Sequence, residues 1–292
     1  KPAFPVRNFG KRFGLMMKVA IGQTKMFRSP ILGFIHALVF WGFLVILVGS
    51  IEMVIDGLFG LERSLNILGW FYDFVMGTGD VFALIIGVAI LIFLSRRLFM
   101  HVERFEGVEM KHISHIDANV ALTIIFLLMV SLLGLNATYV TKQTLVNAEI
   151  LGAFPIGALI SQLFNGMPIE TIHIYHDIFW WSHILLIFVF ANLLPYSKHF
   201  HVFMSVPNVF LSRLEPLGKL TNMDSVTREV KLMMDPETAY AAAPADTPVE
   251  RFGVLDAEDA SWKNYLDSLA CTECGRCTAV CPANITGKKL SP

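Results

Sequence analysis

The chain has 292 residues, of which 54% are hydrophobic and 16% charged, with a formal net charge of -1. Its apolar residues lie in blocks longer than a soluble core needs, which excludes an ordinary soluble globule and describes a polytopic membrane protein. The near-neutral balance excludes a global basic field of the kind that recruits nucleic acid, so no nucleic-acid partner is expected.

Residues 1–30 form a basic segment with no compact apolar core or cleavage site of a signal peptide. Four stretches then reach the roughly 20 apolar residues a membrane-crossing helix requires: 31–54, 75–95, 117–139 and 177–197. Residues 149–164 (EILGAFPIGALISQLF) are also apolar, but the run is short and interrupted by Pro155, so it is expected along the outer interface. Lysine and arginine placement orients the set. Lys1, Arg7, Lys11, Arg12, Lys18, Lys25 and Arg28 precede the first span, and Arg96, Arg97, Arg104 and Lys111 fill the second loop, whereas the other two loops hold only Arg63 and Lys142. The positive-inside rule puts the start, the second loop and everything after Lys198 in the cytoplasm of a prokaryotic cell.

The expected domains are a basic segment at 1–30, a membrane domain at 31–202, a surface segment and linker at 203–250, and a cysteine-bearing segment at 251–292. Within the third, residues 235–250 (DPETAYAAAPADTPVE) combine Pro, Ala and acid with nothing to bury, the composition of a linker.

The four cysteines of the chain, Cys271, Cys274, Cys277 and Cys281, spell C-x2-C-x2-C-x3-C followed by Pro282. Thiolates at three-residue spacing wrap one corner of a 4Fe-4S cube, and the proline turns the chain away from it. Zinc would more naturally use two separated C-x2-C pairs, and a disulfide set conflicts with the cytoplasmic side deduced above. In two-cluster ferredoxin folds the first three cysteines bind one cube and the cysteine before proline reaches another. The expectation is therefore one or two clusters, the second completed by a downstream motif or by a partner subunit.

Nine histidines include a pair with informative spacing, His183 and His201. On one unbroken helix eighteen residues make five turns, so both imidazoles share a face about 27 Å apart and each can take an axial position on a separate haem b. His36, early in the first span, matches His201 in depth, and the two are expected to clamp one haem on the cytoplasmic side. For His183 the second ligand is open between His176, His173 and Met53, or the chain holds one haem. The plainer readings make His201 an interfacial residue among basic neighbours and His36 a packing residue. His199 is rotated about 160° from the His183 face. Glu52, Asp73, Asp80, Lys142, His115 and Asp117 are candidate proton partners or interfacial charges, and no quinone site is assigned.

The run from His183 through ILLIFVFANLL, Pro195, Ser197-Lys198 and His201 resembles the last haem-binding helix of the nitrate reductase gamma subunit family. The resemblance implies a diheme cytochrome b in contact with quinone, carries over His36, His183 and His201 as ligands, and puts Ile46 where that family has a further histidine. Across the whole chain, KMFRSPILGFIHALVFWGF, VIDGLFG, LPYSKHFHVFMSVPNVF and CTECGRCTAVCPANITGKKLSP resemble membrane-anchored heterodisulfide-reductase-type iron-sulfur oxidoreductases, the group with proposed electron-transfer-flavoprotein:menaquinone oxidoreductases. This resemblance implies a fifth membrane helix before Lys1 and further cysteine-rich sequence after Pro292, so both ends read as clipped.

Together these readings predict an all-α membrane protein, a four-helix (five with the preceding helix) cytochrome b bundle followed by a ferredoxin-like cytoplasmic segment. Its expected work is electron transfer between 4Fe-4S centres and menaquinone through haem b, with membrane lipid, quinone and a soluble carrier such as an electron transfer flavoprotein as partners. The rival expectation is a non-catalytic membrane anchor that recruits a soluble iron-sulfur protein.

Overall fold

The computed structural model describes residues 6–102, 105, 112–216, 218, 219, 222–235, 253–288 and 290. The expected linker at 235–250 lies outside them from residue 236 onward, as do Lys1, Arg104 and Lys111. Among the described residues the structure is helical, without strands. It divides into two compact units, one of residues 23–200 with 272–292 and one of residues 1–22 with 201–271.

Four helices of the first unit are long and apolar enough to cross a membrane. They are α2 (Pro30–Phe59), α3 (Trp70–Phe99), α4 (His112–Leu145) and α6 (Ile169–Leu193, continued by a tighter turn to Tyr196). The first three contain their expected spans and run beyond them at both ends, because a helix also satisfies its own backbone where it leaves the hydrocarbon; α6 starts eight residues before the expected 177 and ends short of the expected 197. α2 starts on Pro30, whose fixed φ suits a first helical position, and stops at Gly60 with φ 65°, a left-handed end that glycine adopts without a Cβ clash.

Side-chain pairs fix the topology. Gly42 faces Phe82, and the Glu52 carboxylate meets Tyr72, so α2 and α3 are antiparallel. Arg97 with Asn119 and Asp80 with Asn136 repeat the relation for α3 and α4, as do Ser131 with His183 and Thr138 with His176 for α4 and α6. α4 is the central helix, buried along Leu128, Met129, Leu135 and Tyr139. Small residues bring the helices close: a Cβ on Gly134 would stand 2.5 Å from the Phe179 ring, and one on Gly42 would stand 2.7 Å from that of Phe82.

The apolar run at 149–164 forms a short helix, α5 (Pro155–Ser161), packed on α4 and α3. Asp80, 1% exposed, anchors it: one carboxylate oxygen accepts the backbone N–H groups of Ile156 (2.7 Å) and Gly157 (3.0 Å), the other the Asn136 amide (2.9 Å). Both oxygens of this carboxylate are engaged, two bonds going to α5 and one to α4, a structural role.

The second unit contains α1 (Phe9–Met16), α7 (His201–Phe210), α8 (Asp224–Met234) and α9 (Trp262–Leu269). Arg12 is its buried tie. Its guanidinium donates to the carbonyls of Arg7 (2.7 Å), ahead of α1, of Phe210 (3.1 Å), the last residue of α7, and of Ser212 (2.6 Å), just beyond it, placing a cation at the C-terminal end of α7. α9 begins at a capping box in which Ser261 and Asn264 satisfy each other's backbone N–H groups.

Candidate functional site

A cavity of about 390 Å³ opens inside the membrane bundle. α2 packs on α3, α3 on α4 and α4 on α6, and the cavity occupies the space that this open order leaves between α2 and α6. Small residues at Gly49, Ser50 and Gly79 widen it, with Ile46 and Met53 on the α2 wall and His176 and His183 on the α6 wall.

The two histidines are held in the same way. His183 is 2% exposed, and its Nδ1 lies 3.0 Å from Ser131 Oγ. The Ser131 hydroxyl also lies 3.0 Å from the Leu128 carbonyl, to which it can donate. With the hydroxyl proton used there, an Nδ1–H bond to Ser131 Oγ leaves Nε2 unprotonated with its lone pair available, the state a metal-ligating imidazole needs. Thr138 does the same for His176: its hydroxyl donates to the carbonyls of Gly134 (2.9 Å) and Leu135 (3.0 Å) and stands 3.2 Å from Nδ1. His176 and His183 are seven residues apart, which is two turns and about 10.5 Å along one face. A single iron therefore cannot take both as axial ligands. His173 is exposed and does not line the cavity, whereas Met53 does.

At the end of the cavity near the α2–α3 loop, charge is tightly accounted for. Glu52, 2% exposed, accepts the Leu65 N–H (3.0 Å) and the Tyr72 hydroxyl (3.0 Å), and Arg63 stands 3.9 Å away with its guanidinium over the rings of Tyr139 and Phe154. Asp56 accepts the N–H groups of Arg63 (2.8 Å) and Ser64 (3.1 Å). Glu52 and Asp80 are thus buried structural acceptors, and Asp73 is exposed. The ordering hydroxyls Ser131 and Thr138 are invisible to a search for ligand types; the signal was their own seven-residue spacing, matching that of the histidines.

The straight helix expected between His183 and His201 does not occur. Pro195 lacks an N–H and its ring crowds the carbonyl four residues back, so α6 gives way to a tight turn at Leu194–Tyr196 and Ser197 is extended (φ -99°, ψ 150°). Ser197 Oγ then accepts the His199 N–H at 3.2 Å, and His201 opens the separate helix α7. The five-turn, 27 Å alignment is withdrawn. His36 sits half-buried in the second turn of α2.

None of the four cysteines is in a disulfide. Cys271 closes the turn after α9, Cys277 lies in the single turn Arg276–Ala279, and Cys281 precedes the turn Pro282–Ile285. Among the described residues no three His, Cys, Asp or Glu side chains converge as a metal site, and no ferredoxin-like pairing of elements is present. The donor chemistry suits iron-sulfur, and metal sites commonly form only as the metal binds.

No family model and no solved structure matches the chain. It is 30% identical over 286 residues to the EtfAB:quinone oxidoreductase of Syntrophomonas wolfei, covering 94% of this chain and 35% of that protein. It is also 30% identical over 289 residues to the "Probable iron-sulfur-binding oxidoreductase FadF" of Bacillus subtilis, covering 98% of this chain and 36% of that one. A shorter similarity, 46% over 48 residues, joins it to a "Probable membrane-anchored ferredoxin" of Chromohalobacter salexigens, covering 16% of this chain and 7% of that protein. The chain spans about a third of the length of the two relatives it matches throughout.

Proposed function

We propose that this chain carries electrons between 4Fe-4S centres in the cytoplasm and menaquinone in the membrane by way of haem b. The observation that carries the reading is His183: a buried imidazole, its Nδ1 proton taken by Ser131, on the wall of a cavity between apolar helices. An ordered, desolvated nitrogen of this kind inside a membrane span is costly without a ligand to hold.

Nε2 of His183 would hold haem iron, and His36, nearer the Arg96-Arg97 end of the bundle that the positive-inside rule assigns to the cytoplasm, would serve as a further haem ligand, as would His201. Haem supplies reversible one-electron chemistry when bound. Gly49 and Gly79 leave room for a flat ring system beside the apolar side chains of α2 and α6 that line the cavity. The thiolates of Cys271, Cys274 and Cys277 would hold one cube, and Cys281 would serve a second. The S. wolfei relative is named for EtfAB and quinone, which supports a soluble electron transfer flavoprotein as donor and quinone as acceptor.

The test is optical. Purified protein reduced with dithionite should show b-type bands that reoxidise when a menaquinone analogue is added; a stable reduced spectrum in the presence of the analogue rejects quinone as the partner.

A further inference from the structure

Lys198, a residue the electron path leaves unused, meets the cysteine loop. Residues 272–292 belong to the same compact unit as the membrane helices. Glu273, between Cys271 and Cys274, is the contact: its Oε2 accepts a hydrogen bond from Ser114 Oγ at 2.7 Å and lies 3.9 Å from Lys198 Nζ. Lys198 Nζ in turn donates to Ser114 Oγ, so ammonium, hydroxyl and carboxylate form a chain whose donors all point one way. The platform is rigid. Ser114 is 5% exposed, and the Lys198 backbone N–H is fixed by Asp117 Oδ2 at 3.0 Å, one turn along α4. Glu273 itself takes φ 47°, a left-handed conformation that a non-glycine residue keeps only where its surroundings hold it.

We infer that Glu273 is a positioning residue that clamps the iron-sulfur loop onto the start of α4 and the end of α6 for electron transfer into the membrane. The inference rests on the cluster-to-haem reading above. Tunnelling rates fall exponentially with the gap between centres, so a loop carrying cluster ligands must be pinned against the bundle to transfer at a steady rate. An exposed ion pair would pin little, but here two of the three partners are largely buried.

The experiment uses the full-length protein in nanodiscs, with the cluster reduced by a flash of photoexcited deazaflavin and the first-order phase of haem reduction followed. Glu273→Ala should slow that phase at least 10-fold while iron, haem content and the cluster's paramagnetic resonance signal stay at wild-type values. Glu273→Gln, which keeps the bond from Ser114 and loses the charge, should fall between. Ser114→Ala should slow it too, and Ser114→Ala with Glu273→Ala should be no slower than Glu273→Ala alone, the non-additivity of one shared contact. An unchanged rate in Glu273→Ala, or loss of the cluster itself, overturns the clamp. Tryptic cleavage at Arg276 reads the contact without any haem: it should accelerate in Glu273→Ala, and an unchanged cleavage rate also overturns it. Absence of haem from the wild type rejects the electron path, with the clamp still judged by proteolysis.

Discussion

Ser131 and His183 stand 3.0 Å apart across the α4–α6 interface, and that single contact decides which imidazole nitrogen faces the cavity. If Nε2 is a haem ligand, Ser131 controls how well the ligand is aimed. Ser131→Ala should weaken haem retention on the order of 10- to 100-fold, the usual cost of losing an outer partner of a ligating histidine. Titration of apo-protein with hemin reads this directly, and Ser131→Thr should restore most of the affinity.

Gly134 is the closest approach between α4 and α6, with no room for a methyl group against Phe179. Gly134→Ala should cost about 1–3 kcal/mol by overpacking, seen as a lower thermal midpoint in detergent. Phe179→Leu in the same chain should recover part of the loss. Equal midpoints for Gly134→Ala and wild type would mean the helices are farther apart than described.

Asp80 should matter to folding more than to electron transfer. Asp80→Ala orphans the N–H groups of Ile156 and Gly157 and the Asn136 amide, about 3 kcal/mol or more in a buried place. Asp80→Asn keeps an acceptor for α5 and should be milder. A proton-carrying role would give the opposite ranking, with Asp80→Asn fully stable and inactive.

The four long apolar helices were legible because a run of apolar side chains longer than any soluble core leaves few alternatives, and all but the end of the fourth expected span lie inside the observed helices. The break after α6 was not anticipated, although Pro195 announced it: counting helical turns across a proline treats a missing N–H as harmless. The histidines stood out by residue type. Their orientation did not, since it depends on Ser131 and Thr138, common residues whose role appears only when α4 lies alongside α6. Glu52 and Asp80 read as interfacial charges because sequence shows charge but not the loop N–H groups that consume it.

Arg12 ties α1 to the end of α7 through the carbonyls of Phe210 and Ser212, and to its own preceding segment through that of Arg7. Arg12→Ala should destabilise that unit by about 1.5–3 kcal/mol per lost charged bond that finds no water, and Arg12→Lys should not rescue it, because one ammonium cannot span the carbonyls a planar guanidinium reaches. Faster limited proteolysis after Arg7 and Lys11 is the expected readout.

A cavity histidine that holds haem in series with cysteine-bound iron and sulfide leaves a compositional signature, read by quantifying haem b, iron and acid-labile sulfide together in purified wild type and His183→Ala. Both cofactors are expected in the wild type and, in His183→Ala, loss of b-type absorbance with iron and sulfide retained. Wild-type protein replete in iron and sulfide but without b-type absorbance, or a His183→Ala spectrum identical to wild type, would contradict it.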